Sequence, residues 1–164
     1  MATNPTLLCI HRDPTQLRSL QENGYKLLTA TNGCDGLRLF ASQPVDAVVL
    51  DYHLGLLDGP CVANEIKQVR PAIPIVMLAD DLELPAGALN SVDALVTKSA
   101  GAHFLWATVH FVLNVKRARS REGKSQSQTN PSPDRRDAPF SVRDVERHFC
   151  RNNPVLKTTS RTPG

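Results

Sequence analysis

Apolar residues in the first two thirds of the chain gather in short unbroken runs separated by polar, turn-forming stretches. Leu7-Leu8-Cys9-Ile10 is too short for a helix and is bounded by polar residues, a pattern that suits a strand buried on both faces. The run stops at Asp13-Pro14, which reads as a helix N-cap followed by proline at the first helical position. Leu17, Leu20 and the terminating Asn23-Gly24 complete a helix of about three turns. The same alternation predicts a strand over 25–30, a helix over 32–42, a strand over 46–51, a helix from about 60 to 69 and a strand over 73–79. A last unit joins a strand over 94–97 to a helix from about 102 to 117.

Five strands alternating with helices over short connections imply a parallel sheet covered on both faces, with right-handed crossovers: a doubly wound α/β domain. Such sheets bind their ligands beyond the carboxyl ends of the strands, where strand order reverses. With order 2-1-3-4-5 that point lies between the first and third strands, where the chain carries His11, Arg12 and Asp13 on one side and Asp51 on the other.

Composition adds a second region. Residues 1–114 hold 7 Lys+Arg against 11 Asp+Glu, net −4, whereas residues 115–164 hold 12 against 5, net +7. The basic part is rich in Ser, Asn, Pro and Arg and has too little apolar surface to offset the entropy of ordering it. A domain over 1–118 and a largely disordered tail over 119–164 are therefore expected. Ser141-Val142-Arg143-Asp144 resembles a capping box ahead of Val145 and Phe149, so a short helix over about 142–150 is expected within the tail. No run reaches the roughly 18 apolar residues of a membrane span and the N-terminus lacks a signal-peptide pattern, which points to a cytoplasmic protein. Cys9, Cys34, Cys61 and Cys150 form no C-x-x-C pair, so neither a zinc site nor a disulfide framework is expected.

Val45-Asp46-Ala47-Val48-Val49-Leu50-Asp51, followed by Asp58-Gly59, resembles the receiver domain of two-component response regulators. Pro74-Ile75-Val76-Met77-Leu78 is similar to the family's fourth strand, and Ala94-Leu95-Val96-Thr97-Lys98 to its fifth, which ends in a lysine. The likeness covers roughly residues 6–115. It implies a flavodoxin-like (βα)5 fold of order 2-1-3-4-5, with Asp51 as the phosphoacceptor, Lys98 as its charge partner and a sensor histidine kinase as phosphoryl donor. Carboxylate attack on an anionic phosphorus is electrostatically opposed, so cations must neutralise the developing charge. The family supplies Mg²⁺, held by the phosphoacceptor, by two acids after the first strand and by a backbone carbonyl, for which His53 is placed here.

The departures are equally specific. His11 and Arg12 stand where the two metal-binding acids belong, Ala79 where a Ser or Thr hydroxyl belongs, Leu95 at the aromatic switch and Ser99 at the proline after the lysine. Mg²⁺ binding is expected to be weak, with Arg12 entering the pocket to pair with Asp51. Asp13 reads as a helix cap rather than a replacement ligand, and Asp80 and Asp81 as a loop pair able to approach the site. A His11/His53/Asp51 transition-metal site is the alternative, against which Arg12 argues.

The last helix is apolar over more than the stripe one sheet face needs, which makes Phe104, Phe111 and Val115 candidates for a partner face or a homodimer contact. Lys116, Arg117, Arg119, Arg121 and Lys124 form a basic run after it, but no DNA-reading motif is present, so nucleic acid is not expected as a partner. The leading expectation is a stand-alone, atypical receiver acting through protein contacts. A pseudo-receiver controlled by binding alone and a nucleic-acid adaptor working through the tail are the alternatives. No glycine-rich phosphate loop or nucleophile–base pair supports a metabolic enzyme.

Overall fold

The computed structural model describes residues 4–13, 17–55 and 57–122. β1 (Thr6–Ile10), β2 (Lys26–Ala30), β3 (Ala47–Asp51), β4 (Ile75–Ala79) and β5 (Ala94–Thr97) form one parallel sheet of order β2-β1-β3-β4-β5. The expected doubly wound, flavodoxin-like arrangement is therefore the one the chain adopts. Alternation along the central strands separates two cores. Leu8, Ile10, Val48, Leu50, Ile75 and Met77 face α2 (Gly33–Ser42) and α3 (Gly59–Val69). Leu7, Cys9, Ala47, Val49, Val76 and Leu78 face α1 (Arg18–Glu22) and α4 (Ala102–Glu122). Because both faces are covered, β1, β3 and β4 are almost wholly buried, which is why their sequences read as continuous rather than alternating apolar runs.

Three elements differ from their expected form. The helix expected from Asp13-Pro14 is described only as Arg18–Glu22 with Leu17 at its cap, residues 14–16 lying outside the described set. The last helix runs to Glu122, five residues beyond the expected end at Arg117. Among the described residues no α-helix links β4 to β5, so the fourth βα unit lacks the helix that strict alternation implies. Pro85 and Gly87, at φ +88°, break the segment into turns closed by Ala88 N–H to Pro85 O (3.1 Å) and Asn90 N–H to Gly87 O (3.2 Å). Asp93 ends these turns by accepting from the Ile75 N–H at 2.8 Å and from Lys67 Nζ at 2.7 Å.

No described helix is long and apolar enough to cross a membrane. The segment from 123 onward, with the expected helix over 142–150 and most of the basic tail, lies outside the described residues.

Candidate functional site

The sheet register assembles one cluster at the carboxyl edge. β1 and β3 are neighbours, and the pairing of Ile10 with Leu50 carries His11 and Asp51, the next residues, to the same level. β3 sets Asp51 beside Leu78, and β4 sets Ala79 beside Thr97, so Lys98 emerges from β5 on the same edge. The chain after β3 turns sharply: His53 bridges to Asp58, and the Gly59 N–H donates to Tyr52 O at 2.8 Å. A Cβ at Gly59 would run into the Asp51 carbonyl oxygen and lie 3.0 Å from Tyr52 Cα, so this turn requires glycine. The Asp58-Gly59 signal in the sequence thus reflects close backbone approach beneath Asp51.

Asp51 is 2% exposed, and both of its carboxylate oxygens face donors. Lys98 Nζ lies 3.0 Å from Oδ1, and the His53 backbone N–H donates to the same oxygen at 3.3 Å. Asp80, the first residue after β4, holds the Lys98 ammonium from the other side at 3.3 Å. Partial burial works to lower the Lys98 pKa, but hydrogen bonding and charge from Asp51, then Asp80, outweigh it, and the pKa lies above the ordinary lysine value.

His11, 4% exposed, takes the other oxygen: its Nε2 stands 3.4 Å from Asp51 Oδ2. That distance is an approach rather than a formed hydrogen bond, and Nε2 has no hydrogen-bond partner among the described residues. The tautomer follows from the other side of the ring. The Asp13 N–H donates to Nδ1 at 2.9 Å, so Nδ1 presents its lone pair and Nε2 carries the proton, aimed at the carboxylate.

The expected Arg12–Asp51 pair is not formed. Arg12 is exposed, and its guanidinium lies 3.2 Å from where a Cβ would stand on Gly55, which has φ +95°. Successive side chains leaving a strand point to opposite sides, so His11 turns in and Arg12 turns out, over a residue with no side chain to obstruct it. Asp13 is exposed, and its backbone N–H orients the His11 ring. The buried Ala79 offers only a methyl group at the pocket edge. Asp80 reaches the site through Lys98, as the loop-pair reading allowed.

These groups do not form a divalent-cation site. Mg²⁺ takes a near-octahedral set of oxygens, but here the Asp51 oxygens face an ammonium and two N–H groups, and the positions of the two acids hold His11 and Arg12. The His11/His53/Asp51 alternative also fails. The His53 ring is exposed, edge-on to Tyr52 with centroids 4.7 Å apart, and His11 Nε2 carries a proton where a ligand needs a lone pair. Among the described residues no three His, Cys, Asp or Glu side chains are grouped to hold a metal.

The last helix carries two faces besides its buried one. Leu105, Val109, Val112 and Leu113 pack into the core. Phe104 (53% exposed), Phe111 (67%) and the half-buried Val115 share a stripe about 100° away around the helix. On the opposite flank Trp106 stacks on His110 and meets His103 at a tilt of 36°, and His110 Nδ1 lies 3.2 Å from the Tyr25 hydroxyl.

Residues 15–101, more than half of the chain, match the response regulator receiver domain family. The chain is 34% identical over 116 residues to the transcriptional regulatory protein AfsQ1 of Streptomyces coelicolor, covering 66% of this chain and 51% of that protein. It is 29% identical over 110 residues to the transcriptional regulatory protein GlrR of Escherichia coli, covering 63% and 25%. It thus spans between a quarter and about half the length of these two relatives. Among solved structures, the response regulator protein TrrA of Thermotoga maritima, in complex with Mg²⁺-BeF, is 27% identical with a TM-score of 0.62, covering 66% of this chain and 98% of that one. Strand order, the carboxyl-edge cluster and these likenesses agree, and the chain belongs to the response regulator receiver domain family of two-component signalling.

Proposed function

We propose that this receiver takes part in a cytoplasmic phosphorelay, accepting a phosphoryl group on Asp51 and acting through protein contacts as an atypical member of its family. The observation that carries this reading is the buried Asp51 carboxylate at the end of β3 with Lys98 Nζ 3.0 Å away. In the transfer, a carboxylate oxygen attacks the phosphorus of a phosphohistidine on a sensor kinase. The new P–O bond forms as the P–N bond breaks, and the departing imidazole takes up a proton. Lys98 and the Nε2–H of His11 offset part of the charge that builds on the phosphoryl oxygens. With the oxygen donors for Mg²⁺ replaced, the transfer is slow and the ion binds weakly. The exposed Phe104 and Phe111 suit contact with a downstream protein or a second copy, whereas no described feature favours nucleic acid.

A second reading has its own support. Because both Asp51 oxygens already face cationic or N–H donors, the site resembles a neutralised receiver that signals by binding alone. Intact-mass spectrometry after incubation with acetyl phosphate and Mg²⁺ separates the two. Slow gain of one phosphoryl group, abolished in Asp51→Asn, supports phosphotransfer. No gain leaves the binding-only reading, and a gain that persists in Asp51→Asn removes Asp51 as acceptor.

A further inference from the structure

The donors around Asp51 are unevenly shared between its two oxygens. Oδ1 is engaged twice, by Lys98 Nζ at 3.0 Å and by the His53 N–H at 3.3 Å, so its lone pairs are drawn into charge-assisted contacts. Among the described residues Oδ2 meets only the His11 Nε2–H, at 3.4 Å, without a formed hydrogen bond. A nucleophilic oxygen and a buried N–H are thus both left unsatisfied, side by side, beyond the ends of β1 and β3. The imidazole cannot easily turn away to find an acceptor, because the Asp13 N–H holds its Nδ1 at 2.9 Å. A buried donor left without a partner is costly, and an anion bound at Oδ2 supplies the acceptor that is lacking.

We infer that the Asp51 pocket binds phosphoryl-type anions without a divalent ion, with Oδ2 as the bonding atom and the His11 Nε2–H as a donor to the bound anion. The inference rests on Asp51 as the acceptor proposed above and concerns how that acceptor works. When Oδ2 attacks acetyl phosphate, the new P–O bond forms as the P–O bond to acetate breaks. Acetate leaves with the electron pair, and no proton is gained or lost. The single charge of the carboxylate becomes the double charge of an acyl phosphate, whose outer oxygens stand one bond beyond Oδ2, in reach of His11 Nε2–H and Lys98 Nζ. Each donor then exchanges a carboxylate oxygen for a more highly charged one. Lys98 can give up its second partner, since the Asp80 carboxylate, 3.3 Å away, is exposed and water can take over its solvation. A divalent ion meets the opposite response: an ammonium beside Oδ1 and an N–H aimed at Oδ2 both repel a cation. The pocket therefore separates phosphoryl group from metal by the sign of their charge.

The test compares the full chain in metal-stripped buffer and in millimolar Mg²⁺. Trifluoroberyllate, whose beryllium bonds a carboxylate oxygen and whose fluorines stand for phosphoryl oxygens, should shift the amide signals of His11, Asp51, His53 and Lys98 equally in both. The rate of mass gain from acetyl phosphate should also be the same in both. His11→Phe keeps a ring but deletes the N–H and should weaken both responses by about tenfold or more, whereas His11→Gln carries an amide N–H at similar reach and should restore most of the loss. The comparison of buffers stands on the wild type alone, whether or not His11→Phe folds. Responses that appear only with Mg²⁺ would overturn the inference and leave Asp51 as acceptor. Undiminished responses in folded His11→Phe would overturn it by removing the donor. Metal-free binding of trifluoroberyllate with no mass gain from acetyl phosphate supports the pocket and sinks the phosphotransfer reading, and no response to either reagent in either buffer sinks both.

Discussion

Removing the Lys98 ammonium probes the Asp51 cluster most directly. Lys98→Met keeps most of the stem and deletes the charge, leaving a carboxylate that is 2% exposed with the His53 N–H at 3.3 Å and the His11 Nε2–H at 3.4 Å. Two unit charges 3.0 Å apart attract by about 5–6 kcal/mol at an effective dielectric of 20. The ammonium sits at the rim and is shared with the exposed Asp80, so solvent screening and desolvation reduce the net value to about 1–2 kcal/mol. Lys98→Met should lower the unfolding free energy by about that amount, whereas the same change in an Asp51→Asn background should cost less than about 0.5 kcal/mol. Urea unfolding at pH 7, followed by far-ultraviolet circular dichroism and by the fluorescence of the single tryptophan, Trp106, gives the four corners of the cycle. The sign of the pH dependence is fixed by the raised Lys98 pKa. The stabilisation is fully present below the unfolded-state value of about 10.4 and is lost as pH rises through the higher folded-state value. Strict additivity at pH 7, with a coupling below about 0.3 kcal/mol, would mean that Lys98 and Asp51 do not pair in solution.

Two further outcomes test other parts of the structure. Burial pushes the Cys9 thiol up from 9.0 to about 12, so ionisation favours the unfolded chain and stability should fall above pH 9 by up to about 1.4 kcal/mol per unit. In Cys9→Ala that component of the slope should vanish, and an unchanged slope in urea unfolding between pH 8 and 10.5 would show that Cys9 is not buried as described. At the site itself, millimolar Mg²⁺ should shift none of the amide signals of residues 50–54 in the wild type but should shift them in the double variant His11→Asp, Arg12→Asp, since restoring two carboxylates supplies the hard oxygen ligands the ion prefers. Sub-millimolar binding by the wild type, read by calorimetry, would refute the account of the pocket.

The fold was legible wherever burial was complete. Leu7-Leu8-Cys9-Ile10, Val48-Val49-Leu50 and Ile75-Val76-Met77-Leu78 are strands with both faces covered, and such runs leave little room for another assignment. The connection from β4 to β5 was not legible in the same way. Alternation implies a helix there, yet Pro85 and Gly87 sit in the middle of a segment with few apolar anchors, and Leu82 and Leu89 are left exposed. Local breakers outweigh a topological habit when there is no apolar stripe for the sheet to bury. The end of α4 was misplaced for the opposite reason: nothing in Val115–Glu122 stops a helix, and the basic residues that suggested a tail are also good helix formers.

At the site, identity was easier to read than orientation. Asp51, Lys98, His11 and Asp80 do converge, because strand register alone brings the ends of β1, β3, β4 and β5 to one edge. Charge arithmetic then assigned the inward place to Arg12, the stronger cation, when the two-residue period of the strand had already given it to His11. That exchange changes the chemistry. A guanidinium in the pocket would neutralise Asp51 with a permanent full charge, whereas the buried imidazole, held in one tautomer by the Asp13 N–H, offers a single N–H dipole and leaves Lys98 as the one full cation within 4 Å of the carboxylate among the described residues. The carboxylate therefore keeps an unmet share of its charge on the Oδ2 side. That side faces a proton donor 3.4 Å away, a separation that leaves the two groups in contact but without a formed hydrogen bond.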